Sequence, residues 1–124
     1  MNVFDSSAIY KSVSSRKASM LVGQYTTPLA EYELGNIILK SSVIHKVYSL
    51  AEARELLSVC ELVLERMFII NPDLNEVYKT AVSYHLSFYD AVYASLAIHL
   101  KVPLVTLDVK LANKIRPHIR VEIF

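Results

Sequence analysis

The sequence predicts one α/β domain, residues 1–124, with a mainly parallel five-stranded sheet flanked by helices. Three observations predict it. Short apolar runs alternate with longer segments of helical periodicity, the pattern of a parallel sheet with helical crossovers. A chain of 124 residues is long enough for one domain and too short for two ordinary ones. Hydrophobic residues make up 53% and charged residues 20%, which supplies a core and excludes intrinsic disorder.

The elements follow in order. Asn2-Val3-Phe4 reads as a buried strand ending at Asp5. Ser6 to Tyr25 holds a short helix and a loop, and Tyr25-Thr26-Thr27 a second strand. Pro28 suits the first position of a helix, where its missing N–H would be unpaired anyway, and that helix is expected to reach about Lys46. Ser49-Leu50-Ala51-Glu52 is a capping box, and Leu50, Ala53, Leu57, Cys60 and Leu64 follow at helical spacing as an apolar stripe. Met67–Ile70 fits a third strand, broken by Asn71-Pro72-Asp73. Asp73 and Glu76 open a helix with Leu74, Val77, Tyr78, Ala81 and Val82 as its apolar stripe. Ser87 caps a helix to about Leu100, and Val102–Thr106 is a strand whose early Pro103 is tolerated. Lys110–Ile115 is a short helix, and Ile119–Ile123 the last strand.

Composition excludes several functions. The net charge is +1, so bulk charge gives no sign of a nucleic-acid partner, although Lys101–Phe124 is locally basic. Two glycines exclude a glycine-rich phosphate loop, and with it dinucleotide and P-loop chemistry. The single cysteine, Cys60, excludes an internal disulfide and suits a reducing compartment. No apolar run approaches the roughly 18 residues of a membrane span, and the N-terminal residues lack a signal-peptide core. A cytoplasmic protein with no membrane partner is expected.

Function then turns on the carboxyl ends of the strands, where open α/β sheets place their crevice. Asp5 follows the first strand and Asp108 lies just beyond Val102–Thr106. Glu33 sits early in the helix opened by Pro28, and Asp90 in the first turn of the helix capped by Ser87. Each acid has a structural alternative: Asp5, Asp90 and Asp108 at helix starts, Glu33 on the surface. Four acids directed to one sheet edge make a purely structural reading of all of them less apt. On the helical wheel Glu31 faces away from Glu33, while Asn36 lies one turn on and within reach of its carboxylate. Gathered carboxylates repel unless protonated or bound to a cation. Oxygen ligands without histidine or thiolate favour Mg²⁺ or Mn²⁺ over zinc, and His45, His85, His99 and His118 lack zinc spacing.

The motifs Val-Phe-Asp-Ser-Ser-Ala (3–8), Tyr-Glu-Leu-Gly-Asn (32–36), Tyr-Asp-Ala-Val-Tyr-Ala-Ser-Leu-Ala (89–97) and Leu-Val-Thr-Leu-Asp (104–108) resemble those of PIN-domain nucleases. The resemblance spans essentially the whole chain and is strongest to the small VapC-like toxins of toxin–antitoxin pairs. It implies a PIN-like fold and an acidic metal site of Asp5, Glu33, Asp90 and Asp108, with Ser6, Asn36 and Thr106 in support. It further implies Mg²⁺- or Mn²⁺-dependent endoribonuclease activity in a homodimer restrained by a cognate antitoxin. Lys11, Arg16, Lys17, Lys110 and Lys114 are candidate phosphate contacts, and Tyr78 and Tyr93 are expected to pack. Three rivals stand beside this reading. They are a housekeeping RNA-processing PIN nuclease, a catalytically silent RNA- or protein-binding PIN module, and a phospho-accepting receiver domain. The receiver lacks support in Asp5-Ser6-Ser7 and Asn71-Pro72, where it needs acids.

Overall fold

The computed structural model describes residues 1–124. Its strands are β1 (Val3–Phe4), β2 (Tyr25–Thr26), β3 (Phe68–Ile69), β4 (Leu104–Thr106) and β5 (Val121–Ile123). Its α-helices are α1 (Ser6–Ser14), α2 (Leu29–Leu39), α3 (Leu50–Glu65), α4 (Leu74–Tyr84), α5 (Phe88–Leu100) and α6 (Val109–Ile115). A 3₁₀ turn at Ala18–Leu21 and a π turn at Lys40–Ile44 complete the order. No helix is long and apolar enough to cross a membrane.

The five strands form one sheet in the order β3-β2-β1-β4-β5, with every pairing parallel. The chain builds outward from β1 to β2 and β3, then returns to the other side of β1 for β4 and β5. That reversal is a switch point, and the crevice of such a sheet opens at the carboxyl ends there. Because Val3 pairs with Leu104 and Phe4 with Val105, the register carries Asp5 alongside Thr106. The Asp5 amide donates to the Val105 carbonyl at 3.1 Å, extending the ladder by that one step.

Val3, Leu104, Ile9, Leu34, Leu96 and Ile115 lie in the core at 2% exposure or less. Burying each such side chain contributes about 1.5–3 kcal/mol. The capping box at Ser49 forms as expected, the Glu52 amide donating to Ser49 Oγ and the Ser49 amide to Glu52. Asp73 and Ser87 cap α4 and α5.

Four expectations need correction. Pro28 stands at the cap of α2, one residue before its first turn. The α-helix there ends at Leu39, and only the π turn carries helical winding to Ile44, short of Lys46. The stripe proposed for α4 is split: Val77 and Thr80 are buried, but Leu74, Tyr78 and Val82 are exposed. The inward face runs through Val77, Thr80, Ala81 and Tyr84, and Thr80 Oγ1 donates to the Glu76 carbonyl at 2.8 Å. That bond lets a hydroxyl sit where the pattern had placed an aliphatic residue. On α3, Ala53, Cys60 and Leu64 are buried, but Leu50 stands out in solvent at the first turn.

Candidate active site

The four sequence-predicted acids come from four separate elements. Asp5 ends β1 and caps α1, accepting from the Ala8 amide at 2.9 Å. Asp108 follows β4 and caps α6, accepting from the Leu111 amide at 3.1 Å. Asp90 lies in the first turn of α5, its own amide bonded to Ser87 Oγ. Glu33 stands in α2, which leaves the carboxyl end of β2. The capping alternatives for Asp5 and Asp108 are therefore correct, and they coexist with a shared location. The positive ends of α1, α5 and α6 open toward the same edge and favour anionic groups.

Hydroxyls bind this edge together. Thr106, fully buried, donates through Oγ1 to Asp5 Oδ2 and accepts from the Asp108 amide at 3.0 Å. Ser7 donates to Asp5 Oδ1 at 2.6 Å and accepts from the Leu107 amide at 3.1 Å. The β1–α1 and β4–α6 turns are thus tied twice across the switch point. Ser6 donates to Glu33 Oε1 at 3.1 Å, and Tyr93 donates to the same oxygen at 2.6 Å.

The electrostatics resolve into two repelling pairs. Burial pushes the Asp5 carboxyl above its usual range against the pull of Ser7, Thr106 and the Ala8 amide, and Glu33 adds to the rise. Burial likewise raises Asp90, and the charge of Asp108 raises it further, while Ser87 and Lys114 oppose. Burial and the bond to Glu33 push the Tyr93 phenol up, so it keeps its proton and remains a donor.

Two carboxylates near each other, partly desolvated, with oxygen-only chemistry, are a donor set for a hard divalent cation. That chemistry fits Mg²⁺ or Mn²⁺. As the side chains stand, no three carboxylate, imidazole or thiolate groups are gathered closely enough to hold a metal ion. The acids share an edge as two pairs rather than as one finished ligand shell. A cavity of about 460 Å³ among Asp73, Glu76, Ser95, His99 and Lys101 lies elsewhere, and none of the four acids lines it.

Asn36 is exposed on α2, and the partners of Glu33 are Ser6 and Tyr93 instead. Ser6 and Thr106 occupy supporting positions. Two contributors escaped the sequence reading, and Lys114, a candidate phosphate contact, has a further bond. Ser7 was hidden behind its neighbour, although a hydroxyl two residues after an aspartate commonly bonds back to it. Tyr93 was assigned to packing, although a buried phenol needs a partner and lies one turn from Asp90. Lys114 Nζ donates to the His85 carbonyl at 2.9 Å, tying α6 to the turn before α5 and setting a positive charge near Asp90. Tyr93 packs as expected at 2% exposure, whereas Tyr78 is in solvent.

A family model of the PIN domain matches residues 3–116. The chain is 38% identical over 96 residues to Exonuclease VapC9 of Pyrobaculum aerophilum, spanning 76% of this chain and 68% of that protein. It is 29% identical over 118 residues to Ribonuclease VapC1 of Mycobacterium tuberculosis, spanning 89% and 87%. A crystal structure of a Pyrobaculum aerophilum protein matches with a TM-score of 0.75 at 29% identity, over 91% of this chain and 83% of that one. The structure of VapBC-1 from nontypeable Haemophilus influenzae matches with a TM-score of 0.63 over 98% and 96%. At 15% identity that last match speaks for the fold alone.

Proposed function

The chain belongs to the PIN-domain family, and from that premise we propose that it is a divalent-metal-dependent endoribonuclease acting as the toxin of a toxin–antitoxin pair. The observation that carries the chemistry is the pair of raised aspartates at one sheet edge. Asp5 lies beside Glu33 and Asp90 beside Asp108, and burial disfavours the charged forms of Asp5 and Asp90. Relatives named as a ribonuclease and as an exonuclease support a nuclease with RNA as substrate. The antitoxin and the homodimer rest on the VapC-like resemblance, and the cytoplasmic setting on the lone reduced cysteine.

Asp5, Asp90 and Asp108 would hold Mg²⁺ or Mn²⁺, with Glu33 completing the site directly or through water. When bound, the cation lowers the pKa of a water and stabilises the phosphate oxygens during in-line displacement. The protein's own part is positioning. Ser7, Thr106 and the Ala8 amide fix both oxygens of Asp5. The Thr106 hydroxyl also fixes the amide that starts the Asp108 turn. Ser6 and Tyr93 fix Glu33. The helix N-termini α1, α5 and α6 offset part of the negative charge that would otherwise repel the RNA backbone. Lys114 brings a cation to the same edge, and Lys110, exposed on α6, is available to phosphates.

The test is incubation of a labelled RNA pool with purified protein in Mg²⁺, Mn²⁺ or EDTA. Cutting in either metal, none in EDTA, and 5′-phosphate and 3′-hydroxyl ends are expected. A circular RNA in the same assay separates internal cutting from the end-dependent cutting that the name of the Pyrobaculum relative suggests. Equal cutting in EDTA would refute the metal requirement.

A further inference from the structure

Asp5 and Asp108 each accept a backbone amide, from Ala8 and Leu111, whereas Glu33 accepts none at its carboxylate. Its side chain extends from the middle of a helix, and its carboxylate is fixed from outside. Both fixing bonds fall on the same atom: Ser6 Oγ at 3.1 Å and the Tyr93 hydroxyl at 2.6 Å reach Oε1. Oε2 receives neither. Tyr93 is 2% exposed, its ring wedged in the core, so the position of its hydroxyl is set by packing rather than by solvent. A tyrosine has only two side-chain torsions, so a buried ring leaves the hydroxyl little freedom.

The donor also arrives from an informative place. Tyr93 follows Asp90 by three residues on α5, so the two lie on neighbouring positions of one helical face. Ser6 follows Asp5 directly. The two donors to Glu33 are therefore attached to the elements that carry two of the other acids. A single carboxylate oxygen on α2 is gripped by α5 on one side and by the start of α1 on the other.

We propose that Tyr93 is a positioning residue, which with Ser6 anchors Glu33 through Oε1 and leaves Oε2 as the working oxygen of the site. The inference rests on the nuclease reading above and adds a division of labour within Glu33. One oxygen is structural, and the other faces the water, cation or phosphate. It also makes the α5–α2 hydrogen bond, rather than the α2 helix alone, the device that sets where Glu33 stands relative to Asp90.

Tyr93→Phe removes the hydroxyl and keeps the buried ring. The expected result is a fall of about tenfold or more in kcat on RNA, with KM within about twofold. Mn²⁺ binding, followed by the electron paramagnetic resonance of the free ion, should weaken by about threefold or more. In a Glu33→Gln background, Tyr93→Phe should then change kcat by less than about twofold, since the group it positions is already disabled. Ser6→Ala removes the other donor from Oε1 and should shift kcat and Mn²⁺ affinity in the same direction. It tests the shared anchor even if Tyr93→Phe folds poorly.

Wild-type kcat and Mn²⁺ affinity in a folded Tyr93→Phe protein, beside an active wild type, would overturn the inference and leave the nuclease reading intact. A Tyr93→Phe effect that multiplies undiminished with Glu33→Gln would overturn it also, by showing that the tyrosine acts through general packing. Wild-type protein that neither binds Mn²⁺ nor cuts RNA would overturn the nuclease reading and the inference together.

Discussion

Replacing Thr106 by valine keeps a β-branched side chain of nearly the same shape on β4 and removes one oxygen. That oxygen is fully buried and has two partners, the Asp5 carboxyl group and the Asp108 amide. Losing a hydrogen bond to a carboxylate costs about 1.5–3 kcal/mol. The amide of exposed Asp108 loses its acceptor as well, and water can restore part of that bond, so it adds roughly 0.5–1 kcal/mol. The sum is about 2–4 kcal/mol. In a domain of this size each kcal/mol lowers Tm by about 3–6 °C, so Thr106→Val should melt roughly 6–24 °C below the wild type. Thr106→Ser keeps the oxygen and loses a methyl group, for about 1 kcal/mol and roughly 3–6 °C. Circular-dichroism melts of the three proteins at pH 7 in EDTA make the comparison. A valine protein as stable as wild type, or a serine protein that falls as far as the valine one, would refute the claim that this hydroxyl joins the two turns.

Two further outcomes are expected. Burial raises Asp5 and Asp90 above the usual 3.8, so each binds its proton more tightly in the folded state than in the unfolded one. Their contribution to stability is therefore greatest below that value and declines as pH rises through the folded-state pKa. Asp5→Asn and Asp90→Asn should flatten the fall of Tm with pH above about 4 in EDTA, and an unchanged slope would contradict the burial argument. Tyr78→Ser, at an exposed position on α4, should change stability by less than about 0.5 kcal/mol in urea unfolding, whereas a loss of several times that would restore Tyr78 to the core.

The legible parts of this protein were those written in local chemistry. Ser49 with Glu52, and Ser87 ahead of Asp90, announce helix starts because a hydroxyl three residues before a free amide has one obvious bond to make. Asp5 and Asp108 were legible twice, as caps and as strand-end acids, since both properties follow from a strand that stops at an aspartate. The parallel sheet followed from alternation. What periodicity could not decide was which side of α4 faces inward, because Leu74, Tyr78 and Val82 are as apolar as the residues that do. The choice fell to how α4 lies on α5, and the bond from Thr80 to Glu76 makes that face tolerable. Glu33 was placed correctly and its partner was not. Asn36 is three residues away in sequence terms that a helical wheel can see, whereas Tyr93 is sixty residues distant and only the tertiary fold brings its hydroxyl within 2.6 Å.

The central claim is that the carboxyl-edge aspartates make this protein a metal-dependent ribonuclease. The most direct measurement is the RNA cleavage rate in Mg²⁺ or Mn²⁺ of the wild type beside Asp5→Asn, Asp90→Asn and Asp108→Asn, each first checked for a cooperative melt. The account predicts cutting by the wild type and a loss of about a hundredfold or more in every variant, since each substitution removes one anionic donor while nearly preserving shape. Undiminished cutting by a folded Asp90→Asn protein would contradict it.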